Sequence, residues 1–396
     1  MIQLIFVKRI IFTLLILFTT TLTVQAFDED ILNLEDSPEV IKLDVSREEV
    51  SHEQTELDKA EEDSLFAKIA KREYSIDKVE FLLSDELTYK FDKGILDNVQ
   101  FFGAYYGDLA ETLRSGDHAT NYEFGFMDLG ATGQFKDKKT DFLVRLNFMP
   151  SDNLTFFQRL VTDAYIENKS IPHHKIIIGN SRNQVGVDGG MGAYLYPFAN
   201  RSQIGRTFGN TRALGVRLVG DYSLADYSIA LNSSQRYWRN FFPGVEFTGW
   251  ANLKPLGKTD GRYGKLTIGG GLNAGHNDIN YMTTGFYLGY EYKKFMANFE
   301  YSYANGINAM RLSSDKAKGF YTSVGYNLTK KLQVLARYDQ FDPNLDRGND
   351  IRREYTAGIN YFIKGNALLL MLNYVFCQDE KTDNSHRIVI GTQILL

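Results

Sequence analysis

One cysteine, Cys377, stands in 396 residues, which excludes an internal disulfide and any metal site built from cysteines. Prolines number only 7, and charge is in no great surplus of either sign, at 44 Lys+Arg against 49 Asp+Glu. At 23% charged the chain is no polytopic helical membrane protein, and at 43% hydrophobic it is no disordered one. Beyond residue 26 no window reaches the about 18 consecutive apolar residues that a membrane-crossing helix needs. A Gly-x-Ser-x-Gly elbow is missing too, and none of the six histidines lies in a serine-and-acid pattern. An outer-membrane hydrolase is therefore disfavoured, and nothing calls for a cofactor or a nucleic-acid partner. What is abundant is aromatic side chains and glycine, with 28 Phe, 24 Tyr and 34 Gly. That mixture favours β-structure, because aromatics fit pleated surfaces and glycine serves turns and crowded strands.

Residues 1–26 read as a secretory signal peptide. Lys8 and Arg9 supply the positive charge, Ile10 to Phe18 are apolar apart from Thr13, and Val24-Gln25-Ala26 has the small-x-small cleavage pattern. Residues 27–96 then hold 21 acidic and 9 basic residues, whereas residues 97–396 hold 28 and 33. The expected organisation is an acidic extension over 27–96 on a mildly basic body over 97–396. Spacings at Val50, Leu57, Leu65 and Ile69 admit an amphipathic helix over about 45–72. A short trimerising coiled coil and a solvated acidic linker both fit that stretch. Residues 76–91 look partly extended, with no role to read.

From residue 97 the pattern has period two. Phe295, Ala297, Phe299, Tyr301 and Tyr303 share one face, and Met296, Asn298, Glu300 and Ser302 the other. Tyr355, Ala357, Ile359 and Tyr361 alternate with Glu354, Thr356, Gly358 and Asn360 in the same way. An apolar face opposite a small or polar one, strand after strand, fits a sheet with lipid outside and water inside. Counting back from residue 396 predicts strands near 386–396, 366–376, 353–363, 331–341, 319–328, 295–304, 281–292, 264–274, 245–253, 226–234, 210–222, 174–181, 154–167, 140–149, 121–134 and 97–106. The fold class expected is an all-β, 16-stranded antiparallel transmembrane barrel. Tight turns near 224, 293, 329 and 364 alternate with longer links at 182–209, 235–244, 305–318, 342–352 and 377–385. Such asymmetry suits an outer-membrane barrel with short periplasmic turns, which sets the acidic extension in the periplasm. Every proline after residue 97 falls in a predicted connection. Gly269-Gly270-Gly271 sits within an alternating strand, where close packing explains it better than phosphate binding. His173-His174 reads as a surface turn.

Parity also selects the lumen residues. Arg145 and Asn147 turn inward on 140–149, and Arg159, Asp163 and Glu167 on 154–167. Arg217 and Asp221 do so on 210–222, and Arg337 and Asp339 on 331–341. An arginine on the lipid face costs about 2–4 kcal/mol at the midplane, which supports the same assignment. The longest connection, 182–209, carries Arg182, Arg201 and Arg206, with Arg212 just beyond. A connection this long suggests a loop folded inward to narrow a pore. Arginines there could select anions, since the guanidinium fork matches phosphate or carboxylate oxygens. Alternatively they pair with Asp163, Glu167 and Asp221 and brace the wall.

Several runs resemble the phosphate-selective porin O and P family. They are Leu160–Glu167, Lys175–Gly179, Ile204–Gly220, Ala336–Pro343 and Tyr355–Tyr361. The resemblance spans about 97–396 and implies a sixteen-stranded trimeric porin of the outer membrane, with an inward loop and arginines along the pore. By position in these runs, Arg159, Arg206, Arg212 and Arg217 are its candidate pore contacts. The lumen's many acids and the terminal Leu396, where such barrels usually end in an aromatic, depart from the family pattern. The reading reached is a porin passing small hydrophilic solutes, anions such as phosphate among them, with the lipid bilayer, small anionic solutes and two further copies as partners. The alternative is a structural outer-membrane anchor tethered to the cell wall through the extension.

Overall fold

The computed structural model describes residues 76, 78–149, 160–209, 211–234, 244–308 and 311–396. The expected signal peptide, the helix over 45–72 and Arg159 lie outside them. The chain runs through β1 (Thr88–Lys90), β2 (Leu96–Arg114), β3 (Asp117–Phe135), β4 (Thr140–Asn147), β5 (Val161–Asn168) and β6 (His174–Arg182). Two short helices follow, α1 (Val187–Gly190) and α2 (Gln203–Thr207). Then come β7 (Arg212–Asp221), β8 (Ala225–Ser233), β9 (Val245–Leu253), β10 (Lys265–Asn277), β11 (Ile279–Tyr292) and β12 (Phe295–Asn308). The last five are β13 (Arg311–Asn327), β14 (Leu332–Asp342), β15 (Arg352–Lys364), β16 (Leu368–Asp379) and β17 (Ser385–Leu395).

Among the described residues β2 to β17 make sixteen strands, each antiparallel to the next. The ring closes where β17 pairs β2, from Ser385 opposite Arg114 to Leu395 opposite Ala104. Closure satisfies every strand's hydrogen bonds internally, the condition for a sheet in lipid. Parity holds as read from the sequence. On β15, Tyr355, Ala357, Ile359 and Tyr361 are exposed while Thr356, Gly358, Asn360 and Phe362 are buried. Asn360 and Asn373 are at most 1% exposed, whereas Ile178 and Leu231 are 58% and 59% exposed. Polar groups inside and aliphatic groups outside invert a soluble core, and a band of that kind is stable only against lipid.

One expectation needs correction. The link predicted at 305–318, and the gap left between 106 and 121, are mostly strand. Strands β2 and β3 have 19 residues each and meet at Ser115-Gly116, both with positive φ (45° and 90°). A two-residue turn of this geometry matches the twist of paired strands. About 9–11 residues cross a bilayer, so these hairpins continue beyond it. There lipid no longer selects an apolar face, and the alternation that marks a strand in sequence disappears. The glycine run falls inside β10 as expected: a Cβ on Gly271 would strike the Gly249 carbonyl and the ring of Trp250. Ile76, Phe81, Leu82 and Leu83 pack against the barrel at its short-turn end, and β1 pairs β2.

Candidate functional site

The connection between β6 and β7 enters the lumen and is fixed there by polar side chains from the C-terminal strands. Glu300 of β12 accepts hydrogen bonds from the backbone N–H groups of Val187 and Asp188, at 2.9 Å each. Gly186 permits this approach: its φ is +73°, and a Cβ would collide with Glu300 Oε1. Arg337 of β14 donates to the Asn200 carbonyl at 2.8 Å and to the Tyr196 hydroxyl at 3.1 Å. Gln203 Nε2 donates to Asp339 Oδ1 at 2.7 Å, and Asn360 Nδ2 to the Pro197 carbonyl at 2.8 Å. Asn373 Oδ1 accepts from Ala199 N–H at 2.9 Å, and Gln393 donates to the Tyr194 carbonyl at 3.0 Å. Within the loop, Ser202 Oγ caps α2 by accepting from Gly205 N–H and donates to Asp188, which also accepts from Tyr196. Ile204 and Phe208 then seat in an apolar cluster with Tyr281, Ala304, Ala317, Tyr321 and Phe341. Each such buried bond contributes about 1 kcal/mol net, and orphaning one partner costs about 1–3 kcal/mol.

Between this loop and the wall of β2 to β7 lies a cavity of about 390 Å³. Five arginines line it: Arg145, Arg182, Arg201, Arg206 and Arg212. Asp128 is the one acid among its lining residues. Arg145 and Arg212 share the buried carboxylate of Asp163, the latter at 2.9 Å, and Arg145 lies 3.7 Å from Asp128. Asp128 itself accepts from Asn147 at 2.6 Å and from the Tyr194 hydroxyl at 2.8 Å. Arg182 donates to the Gly189 carbonyl at 3.4 Å. Arg201 donates to the carbonyls of Asp188 and Met191 and stacks 4.9 Å from the Tyr196 ring centroid. Arg206 donates to the Arg201 carbonyl at 2.8 Å and pairs with Glu354. Guanidiniums thus outnumber the one acid in the lining, and the carbonyl partners bring no formal negative charge. In a narrow, low-dielectric space this field acts on a passing ion at several times its strength in water.

The arginines singled out in the sequence therefore part company. Five reach the cavity. Arg337 is 2% exposed, pairs with Asp339 at 3.3 Å and covers the Phe198 ring, so it holds the loop. Arg217 donates to Asn183 Oδ1 at 3.2 Å, away from the cavity lining. Of the three acids expected to brace arginines, only Asp163 does so. Glu167 takes Lys169 and Lys175 instead, and Asp221 is 74% exposed and pairs with Lys254 at the short-turn end. Both sit at the end of a strand, with lysines as their ion-pair partners. Asp128, Tyr106 and Phe126 also line the cavity and carry no signal in the sequence beyond strand parity.

Residues 260–394 match the family model described as phosphate-selective porin O and P. That span holds β10 to β17 and the runs Ala336–Pro343 and Tyr355–Tyr361, but none of the five cavity arginines. Among curated proteins no sequence matches the chain. Solved structures share the fold at low identity. The anion-selective porin from Comamonas acidovorans is 11% identical, covers 75% of this chain and 99% of its own, and superposes with a TM-score of 0.56. The outer-membrane channel DcaP of Acinetobacter baumannii is 11% identical, covering 78% and 99% with a TM-score of 0.55. The trimer form of OmpT, an outer membrane protein of Vibrio cholerae, is 11% identical, covering 75% and 99% with a TM-score of 0.52.

Proposed function

We propose that the chain is an outer-membrane channel for small solutes that favours anions such as phosphate, a reading supported by the closed barrel and by the match of residues 260–394 to the phosphate-selective porin O and P family. The observation that carries this reading is the cavity with five arginines and a single lining acid. Arg145, Arg182 and Arg212 present guanidiniums from the wall, and Arg201 and Arg206 from the loop. Planar forks on two sides suit the several oxygens of a phosphate or carboxylate, and such a field raises the local anion concentration without any chemical step. No cofactor enters this reading. A homotrimer is the proposed assembly, in line with the trimer form of the Vibrio protein. The signal peptide over 1–26 and the acidic extension over 27–96 set the short-turn end in the periplasm in this reading. A tether to the cell wall through that extension is the rival, and it has no use for the arginine cavity.

The test is planar-bilayer recording of the purified chain in a potassium chloride gradient, with phosphate as a competitor. Anion-selective openings that low phosphate blocks support the full reading. Openings without phosphate block leave a general porin, and cation-selective openings overturn the anion preference.

A further inference from the structure

We propose that the stretch Lys78–Leu87, together with Ile76, is a plug that closes the arginine cavity from the short-turn end, so that conduction requires it to leave its seat. The proposal rests on the porin reading above. The stretch is tied to the barrel's inner rim by backbone bonds: Leu82 N–H donates to the Leu395 carbonyl at 2.9 Å, and Phe101 N–H to the Leu87 carbonyl at 3.0 Å. Asn366, in the turn between β15 and β16, donates to the Ile76 carbonyl. Leu82 is 6% exposed and belongs to one apolar cluster with Tyr106, Phe126, Tyr194, Leu369, Met371 and Leu395.

That cluster and the arginine cavity share residues. Tyr106, Phe126 and Met371 line the cavity and also pack in the cluster around Leu82, so the apolar cluster forms one wall of the arginine site. An anion leaving the guanidiniums in this direction meets hydrocarbon instead of water, and apolar constrictions of this kind block ions by excluding their hydration. The seat also reaches the loop. The Phe81 ring lies 5.0 Å from that of Phe102 and 6.1 Å, edge-on, from that of Tyr194. Tyr194 in turn donates to Asp128 and lies 3.3 Å from Arg145 Nη1. Withdrawal of Phe81 and Leu82 therefore uncovers the cavity and frees the tyrosine that positions one of its arginines. Asp85 and Glu86 are exposed on the same stretch, so a seated plug also sets negative charge beside the exit.

The experiment compares full-length wild type with Leu82→Asp and with a deletion of Lys78–Leu87, each checked for a folded barrel by heat-modifiable migration, in planar bilayers with potassium chloride. The expected result is a several-fold rise in conductance in both variants, with the anion-selective reversal potential retained. Variants that conduct no more than a conducting wild type overturn the plug and leave the porin. Folded barrels that stay silent even after the deletion overturn both readings.

Discussion

Arg145 on β4 and Arg337 on β14 obey the same rule of parity and end in different settings. Both point inward from strands whose opposite faces are aliphatic. Arg337 meets the inserted loop, is almost wholly buried, and spends its donors on Tyr196 and Asn200. Arg145 touches the loop at the Tyr194 hydroxyl, 3.3 Å away, and is one of the five arginines lining the cavity between loop and wall. The contrast extends to the walls behind them. Strands β12 to β17 supply Glu300, Arg337, Asp339, Asn360, Asn373 and Gln393, all spent on fixing the loop, whereas β4, β6 and β7 supply Arg145, Arg182 and Arg212. An inward polar residue thus has one of two tasks, and the position of the loop chooses which.

The sharpest break of that contrast is Arg337→Ala. It strands Asp339 without its cation and releases Asn200 and Tyr196, at a cost of about 3–5 kcal/mol for a buried pair opened on one side. A lower unfolding temperature of the folded barrel and a noisier, larger conductance are expected in bilayer recordings. Gly186→Ala attacks the same anchorage from the loop side. A left-handed backbone costs about 1–2 kcal/mol for a residue with a Cβ, and the added atom displaces Glu300 from Val187 and Asp188. Calorimetry on the detergent-solubilised barrel would show a smaller drop than Arg337→Ala, with flickering openings.

Arg145→Gln tests the other side. Asp163 keeps Arg212, and Asp128 keeps Asn147 and Tyr194, so the barrel holds its stability while the field weakens. Any unit charge about 8 Å from an ion is worth about 2 kcal/mol at an effective dielectric near 20. The anion-to-cation permeability ratio should then fall by about thirtyfold, read from reversal potentials; an unchanged ratio would remove Arg145 from the selectivity mechanism. The mildest perturbation is salt. Raising it from 0.1 M to 1 M shortens the screening length from about 10 Å to about 3 Å, and the wild-type anion preference should decline without vanishing. A preference untouched by salt would point to steric selection instead.

The sequence by itself determined the barrel. Sixteen alternating segments gave the strand number, and parity oriented Arg145, Arg337, Asp163 and Asn360 correctly, because the demand of lipid on one face is written locally, residue by residue. It did not reveal hairpins above the bilayer, where that demand lapses. Nor did it separate Arg145 from Arg337, or find a seat for Phe81 and Leu82. Those outcomes depend on where the connection from Asn183 to Thr211 comes to rest, and on partners as remote as Glu300, Asn373 and Leu395. Only closure of the ring brings these groups together. A period of two fixes which face a side chain occupies, and the tertiary structure alone decides what stands opposite it.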